Sequence, residues 1–559
     1  MVVARLLLLG AALLAAPLLL SGDDDADSVR LLPMDSLGAS VETITSPKIT
    51  TDTALRTYRV GRDVRPARVV HGPTRIARTV TAPGGRFETA IVPLNVPVTL
   101  SISLDGKVVA RETAEPGAWT PVRAALPAGG GAVALVESLE AAAGEAVLWA
   151  DDRIVPLQRL GKRPDVIVIT LDTTRPDYLT PYNASETTTP ALARLAMEGM
   201  RFDQATSVTS WTMPGHMALL TGLYPSLRLG FEERVGAEQT TLADVFAAAG
   251  YATAGASGGP YTDSDFGFQQ GFRAYLDSDG WKNAERVTNW AIERITSPGN
   301  GAPLFMFLNY FDAHEPNTGI PMEEWVPFDV GSTPLTPKMI ERTRNAYRAD
   351  LQTIDRQLNR LFETIRLRRD WNNTVIVVTS DHGQLLGERG FVGHAISLDD
   401  ELLRVPLIVK GTRGRQLRGV YTDQIQLTDV YPLTLELAGV GTHTRVLSRV
   451  ASHEPVRRLA FARLRHQVTD DIVKRPRWRS AEQWAVRTDT VKVVRDKEGR
   501  VTMTSVGAEP ERPVNAPDLA ARLLAELDKF GTGGEATGGA QLRLSSDLRD
   551  RLRSLGYIR

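Results

Sequence analysis

Two short stretches of this chain carry no charge and end alike. Val166-Ile167-Val168-Ile169-Thr170-Leu171 runs into Asp172, and Val375-Ile376-Val377-Val378-Thr379 runs into Ser380-Asp381-His382-Gly383. Apolar runs that are continuous rather than alternating belong to strands buried on both faces, which means a largely parallel sheet covered by helices on each side. Leu304-Phe305-Met306-Phe307-Leu308 is a third such strand and ends near His314. In open α/β sheets ligands bind beyond the carboxyl ends of the strands. The pattern therefore implies both a fold class and a rim, to which two strands deliver Asp172, Asp381 and His382.

A hydroxyl joins that rim. In Ser210-Trp211-Thr212-Met213-Pro214-Gly215-His216, Thr212 stands two residues before a proline, and the apolar run Met217-Ala218-Leu219-Leu220 follows. Proline suits a first helical turn, so Thr212 is expected at a helix N-terminus, where free N–H groups and the dipole attract an anion. Taken alone, the segment reads better as an N-cap threonine without chemistry. Together with Asp172, Asp381 and His382, the threonine makes a donor set for one divalent cation. That set suits manganese or zinc better than an all-oxygen calcium cage, with magnesium also compatible. Ser210 is the rival nucleophile, and its side chain comes before the helix. Arg175 and Asp177 are expected to build the turn rather than do chemistry.

At 559 residues the chain is long enough for two or three domains. A net charge of -1 with no long basic run argues against nucleic acid as a partner. Zero cysteines exclude disulfides, thiolate metal sites and cysteine catalysis. Residues 1–22 place one arginine before the apolar stretch Leu6 to Leu20 and an acidic stop, the pattern of a signal peptide or a membrane tether. Export follows, to a periplasmic, secreted or outward-facing tethered location. Residues 23–50 read as a polar linker. Residues 51–157 read as a β-sandwich, with a hairpin at Asp105-Gly106 and another turn at Pro127 and Gly129-Gly130-Gly131. Residues 160–450 form the catalytic α/β domain, including a charged amphipathic helix at about 339–369 with Tyr347, Leu351, Ile354, Leu358, Phe362 and Ile365 inward. Residues 451–559 form a small α+β subdomain. It should hold a hairpin around Trp484 and Val493, a glycine-rich loop at 529–539, and a closing helix over 542–557.

These segments resemble the sulfatase family of the alkaline phosphatase superfamily. The resemblance rests on Gly222-Leu223-Tyr224-Pro225, Thr241-Leu242-Ala243-Asp244, Asn309-Tyr310-Phe311-Asp312-Ala313-His314-Glu315-Pro316, Gly383-Gln384-Leu385-Leu386-Gly387-Glu388, Gly393-His394 and Arg404-Val405-Pro406-Leu407-Ile408, in the family's order. It implies an ester hydrolase with Thr212 at the nucleophile position, His314 and His394 as candidates for protonating the leaving group, and His216 orienting Thr212 or the substrate. His394 stands where sulfatases commonly have lysine, so contact with the anion is its other reading. The family pattern is C-x-P-x-R or S-x-P-x-R, its first residue oxidised to formylglycine, whose hydrated aldehyde expels sulfate by elimination. Threonine cannot be so oxidised, and its ester must be opened by water. That favours a phosphorus ester over a sulfate, on a small or glycan-linked anionic substrate. A transferase of phosphoryl-linked groups and a non-catalytic binding protein on a decayed fold are the rival readings. Asp312-Ala313-His314 does not reproduce the ligand spacing of two-zinc relatives, so one metal is expected.

Overall fold

The computed structural model of the protein describes residues 29–30, 52–156, 163–224, 235, 239–279, 282–296, 302–321, 324, 334–441, 444–465, 482–507 and 511–532. The expected leader at 1–22 and the expected closing helix at 542–557 lie outside them.

The N-terminal region contains β1 (Val29–Arg30), β2 (Asp52–Val60), β3 (Asp63–His71), β4 (Thr74–Pro93), β5 (Val98–Leu104), β6 (Lys107–Ala114), β7 (Thr120–Glu140) and β8 (Ala146–Pro156). Every pairing among them is antiparallel. Residues from β3, β4, β5, β7 and β8, including Phe87, Leu100, Leu135 and Trp149, share one apolar core. The β5–β6 hairpin turns at Asp105-Gly106, both with positive φ, as a two-residue type I′ loop requires.

Two expectations change here. Pro127 and the glycines at 129–131 do not end a strand, because β7 runs straight through them. They lie opposite Pro83-Gly84-Gly85 of β4, beside a register shift, so the two breakers form a paired irregularity instead of a turn. The linker contributes Val29–Arg30, which pairs with Val60 and Arg59. The β region keeps its own apolar core and also joins the catalytic sheet edge to edge, where β3 pairs with the strand at 274–276.

The catalytic region follows as β9 (Asp165–Leu171), α1 (Pro190–Glu198), β10 (Met200–Thr206), α2 (Thr212–Thr221), α3 (Leu242–Ala248), β11 (Ala252–Ala256), β12 (Ala274–Leu276), α4 (Ala284–Thr296), β13 (Leu304–Tyr310), α5 (Pro337–Arg368), β14 (Thr374–Thr379), β15 (Leu407–Lys410), β16 (Gly419–Gln426) and α6 (Leu427–Ala438). The order is β16-β10-β15-β14-β9-β13-β11-β12-β3-β8-β4-β7-β5-β6. From β14 through β9, β13 and β11 to β12 every pairing is parallel, and β15 is the antiparallel exception. Successive residues of the apolar strands alternate between two cores. Val166, Val168, Phe305, Phe307, Val375 and Val377 face one, and Ile167, Ile169, Met306, Leu308, Ile376 and Val378 face the other. Burial on both sides is why these strands show no polar alternation.

Helix α5 begins at Pro337, with the Thr336 side chain accepting the Met339 N–H at 3.3 Å, an N-cap followed by proline. Its inward stripe includes Tyr347, Leu351, Ile354, Leu358, Phe362 and Ile365. The Tyr347 hydroxyl donates to the Thr173 carbonyl and accepts the Arg175 N–H, both at 2.9 Å, so this helix braces the loop after β9. Where β2 and β3 meet the catalytic region, Arg59 reaches Asp277 at 2.6 Å and Asp265 at 3.0 Å. Asp277 accepts from Ser264 N and Oγ at 2.8 and 2.7 Å, and Asp263 accepts from Ser278 N and Oγ at 2.8 and 2.9 Å.

The C-terminal subdomain packs β17 (Ala460–Arg465), β18 (Glu482–Arg487), β19 (Val491–Asp496) and β20 (Val501–Ser505) into an antiparallel sheet beside α7 (Pro517–Thr532). The expected glycine-rich loop starts later than its composition suggests, because α7 includes Lys529-Phe530-Gly531. Phe530 stacks on Phe461 at 4.3 Å and meets Tyr224 edge-on at 4.6 Å, and this burial holds the last turn helical.

Candidate active site

Asp172 is the first residue after β9, and its N–H donates to the Tyr310 carbonyl of β13 at 2.8 Å. Asp381 and His382 follow β14 after Ser380, whose hydroxyl caps the turn by donating to the His382 carbonyl at 2.6 Å. Thr212 is the first residue of α2, beyond the extended Trp211. Two glycines permit the approach of these segments. A Cβ at Gly215 would lie 2.8 Å from the Asp381 carbonyl oxygen, and one at Gly383 only 2.0 Å from that of Glu401. Gly215 lets α2 touch the Asp381 loop, and Gly383 lets that loop pass against Glu401, because both side chains are missing.

Asp172, Thr212, Asp381 and His382 converge and are buried. His382 Nε2 lies 3.2 Å from Asp381 Oδ2 and 3.3 Å from Thr212 Oγ1. Donors bonded to one tetrahedral ion at about 2.0–2.1 Å are separated by about 3.3 Å, the spacing found here. Among the described residues, no donor reaches either oxygen of Asp172 or Oδ2 of Asp381 in good hydrogen-bond geometry, though the Asn309 amide lies near enough to Asp172 to ease its charge, and all three oxygens are buried. Burial and the charge of Asp381 push the Asp172 pKa well above the usual carboxylate range, and burial raises that of Asp381, against the pull of His216. Adjacent buried carboxylates with unspent lone pairs are costly unless a cation joins them, so this donor set fits a divalent metal.

Two imidazoles flank Asp381, and their hydrogen bonds distinguish them. His382 Nδ1–H donates to the Gly383 carbonyl at 2.8 Å, leaving Nε2 bare toward Asp381 and Thr212. This is the tautomer of a metal ligand with its outer nitrogen tied down. His216 also has a nitrogen 3.4 Å from Asp381 Oδ2, and Asp172, His216 and Asp381 each bring a ligand atom within 4.8 Å of the others. Its Nε2, however, accepts from the Asn309 amide at 3.1 Å, an amide oriented by the Gly258 N–H on its Oδ1 at 3.0 Å. Nδ1–H then donates to the Thr212 carbonyl at 2.9 Å. His216 is a strut beneath Thr212, and burial lowers its pKa. The structure thus places His216 against the backbone of Thr212, buried among Thr170 and Asn309.

His314 and His394 sit at the outer side. The His394 ring stacks on His382 at 4.6 Å and meets His314 edge-on at 4.8 Å. Relative exposure rises from 0% at His382 to 9% at His394, which marks the side nearer solvent. Between them lies Glu315, unnoticed in the sequence, whose Oε1 is 2.9 Å from His394 Nδ1. His314 Nδ1–H donates to the Glu315 carbonyl at 2.7 Å, and burial pushes its pKa down to about 3, so the ring is neutral. The Ala395 N–H donates to the Ser210 carbonyl at 2.9 Å and ties the His394 loop to the segment leading into α2. Lys282 fastens the other loop through the carbonyls of Asp312 and His314 and the carboxylate of Asp350. Sequence reasoning also missed Asn309 and Thr170. Their signal was faint: a lone amide and a lone hydroxyl in otherwise apolar strands. Ser210 Oγ is buried without a partner. Arg175 is bound to Asp177, Glu388 and the Gln384 carbonyl as part of the turn.

Residues 164–440 match the family model described as Sulfatase. The uncharacterized sulfatase YidJ of Escherichia coli is 22% identical over 344 residues, half of this chain and 68% of YidJ. The ulvan-active sulfatase of Formosa agariphila is 25% identical over 321 residues, again half of this chain and 62% of that protein, under two thirds of its length. Among solved structures, the phosphonate monoester hydrolase of Agrobacterium radiobacter superimposes with a TM-score of 0.52 at 17% identity, over 66% of this chain and 95% of that one. The last likeness is one of fold.

Proposed function

The chain belongs to the sulfatase family through residues 164–440, and from that premise we propose a metal-dependent hydrolase of phosphorus esters that uses Thr212 as its nucleophile. The observation that carries the reading is Thr212 Oγ1 at 3.3 Å from the bare Nε2 of His382, beside the unspent oxygens of Asp172 and Asp381. A divalent cation held by Asp172, Asp381, His382 and Thr212 would lower the pKa of the threonine hydroxyl and neutralise charge on the transferring group. Thr212 Oγ1 attacks phosphorus in line, its bond forming as the bond to the leaving oxygen breaks. The free N–H groups at the start of α2 are aimed at the equatorial oxygens. His216 holds Thr212 by its carbonyl and keeps the hydroxyl in place. The outer group of His314, Glu315 and His394 meets the leaving oxygen with a proton or with positive charge. Water then opens the threonyl ester at phosphorus, a route that does not need the elimination available to formylglycine.

Sulfate ester hydrolysis is the second reading, favoured by the sulfatases among the relatives. We assign the chain to an exported location on its leader-like N-terminus. The test is a panel of aryl phosphate diesters, phosphonates, phosphate monoesters and sulfates assayed with manganese and zinc. Phosphorus esters are expected to turn over fastest with release of free alcohol; a faster sulfate reaction would overturn the preference. Thr212→Ala should lower turnover by roughly 10⁴-fold or more while retaining the cation, and normal activity in that variant removes the nucleophile.

A further inference from the structure

We propose, resting on the reading of Thr212 as nucleophile, that Gln426 is a positioning residue: one buried amide grips both flanks of α2 and so sets where Thr212 stands. Gln426 ends β16, and its partner in register, Thr206, ends the parallel strand β10. Where the backbone ladder stops, the side chain takes over. Its Nε2 donates to the Ser207 carbonyl at 3.1 Å and to the Phe461 carbonyl of β17 at 2.7 Å. Its Oε1 accepts the Tyr224 hydroxyl and, at 3.0 Å, an N–H of Arg457. Ser207 lies on the chain entering α2 and Tyr224 on the chain leaving it. The helix stops at Gly222, whose N–H returns to the Ala218 carbonyl at 3.0 Å, so little slack separates Tyr224 from the last turn.

Both N–H donors and both lone-pair positions of this amide are thereby engaged, and the residue is buried. Arg457 closes the network. It donates to the Tyr224 hydroxyl at 2.8 Å, to Thr428 at 3.1 Å and to both oxygens of Asp429, and Asp429 in turn accepts the Gln426 N–H at 2.9 Å. Phe530 covers the junction by packing on both Tyr224 and Phe461. Buried and satisfied, such a network holds one arrangement. The grip on α2 belongs to Gln426 in particular. Gln424, also on β16 and also buried, ties the C-terminal subdomain through the Arg487 guanidinium at 2.8 Å and its carbonyl at 3.2 Å, and bonds to neither flank of α2. In-line attack by Thr212 tolerates little displacement, since a shift of about 1 Å imposed from outside a site can cost about 100-fold in rate.

The test compares variants of the full chain. Gln426→Glu keeps the shape and the acceptor but removes both donors, and Gln426→Met removes all four bonds. In each, kcat for the fastest aryl ester of the panel should fall about 10–100-fold while KM stays within about 2-fold. Gln424→Met should melt lower and keep kcat within about 2-fold. Hydrogen exchange read by mass spectrometry on metal-free chains follows the helix directly. Peptides covering 207–221 should lose protection in both Gln426 variants and keep it in Gln424→Met. Unchanged kcat and protection in a Gln426 variant that merely melts lower would overturn the proposal, as would equal losses in Gln424→Met. Melting by circular dichroism identifies a variant that has not folded. Tyr224→Phe, which deletes one bond of the network, then carries the test with a loss in kcat of about 3-fold or more. If the unaltered chain turns over no ester, or Thr212→Ala turns over normally, the hydrolase or nucleophile reading has failed, and exchange at 207–221 alone decides whether Gln426 holds α2.

Discussion

Two buried acidic groups stand in this sheet and meet opposite fates. Asp263, Asp265 and Asp277, where the N-terminal strands join the catalytic region, are answered by Arg59 and by two serines that give both their N–H and their hydroxyl. Asp172 and Asp381, at the ends of β9 and β14, keep three oxygens without hydrogen-bond partners. A structural cluster spends its lone pairs on the protein. A site holds them back for something else.

The largest effect that separates the two is on turnover. Asp172→Asn should reduce kcat/KM by roughly 10³-fold or more and release one cation, while the metal-free protein melts no lower, since a like-charge pair has been relieved. If Asp172→Asn instead lowers the melting temperature and leaves activity intact, the contrast collapses. Arg59→Met should act on stability alone. It strands buried carboxylates and should cost about 3–5 kcal/mol, read from urea or thermal midpoints, with cation content and kcat/KM per folded chain unchanged. A change in bound metal would mean that the junction and the site are coupled.

A smaller effect lies in pH. Asp277 is raised from 3.8 to about 6, chiefly by burial and against the pull of Arg59, and Asp172 is raised well above the usual carboxylate value, by burial and by Asp381. Raised folded-state values mean that the native chain binds more protons than the unfolded one. The stability they contribute is full below about 4 and is lost as pH rises through the folded values. Metal-free protein should therefore lose thermal stability as pH rises through the ionisation of these carboxylates. Saturating divalent cation should remove the part of that loss that comes from Asp172 and leave the part that comes from Asp277. Melts from pH 5 to 9 with and without chelator measure both, and identical curves would refute cation binding at Asp172.

Much of this was legible in the chain. Continuous apolar runs mark strands covered on both faces, and the polar residues that end them must lie at the strand tips, so Asp172, Asp381, His382 and Thr212 could be named together. Asp105-Gly106 gave its hairpin because two successive positive-φ residues leave few alternatives. Pro127 with its glycines misled because breakers opposite breakers make a paired irregularity, which single-strand reading does not reveal. Lys529-Phe530-Gly531 misled because aromatic packing against Phe461 outweighed a weak local propensity.

What the order of residues determined by itself was local and periodic: which segments are strands, which turn, and which side chains reach the carboxyl-end rim. Those follow from burial on one face or two and from backbone geometry, both written in consecutive residues. Only the tertiary structure decided that Glu315 meets His394, that Asn309 gives His216 its tautomer, and that Arg59 claims one acidic cluster and leaves the other open. Each depends on distances between segments far apart in the chain, where hydrogen-bond capacity is either used or kept.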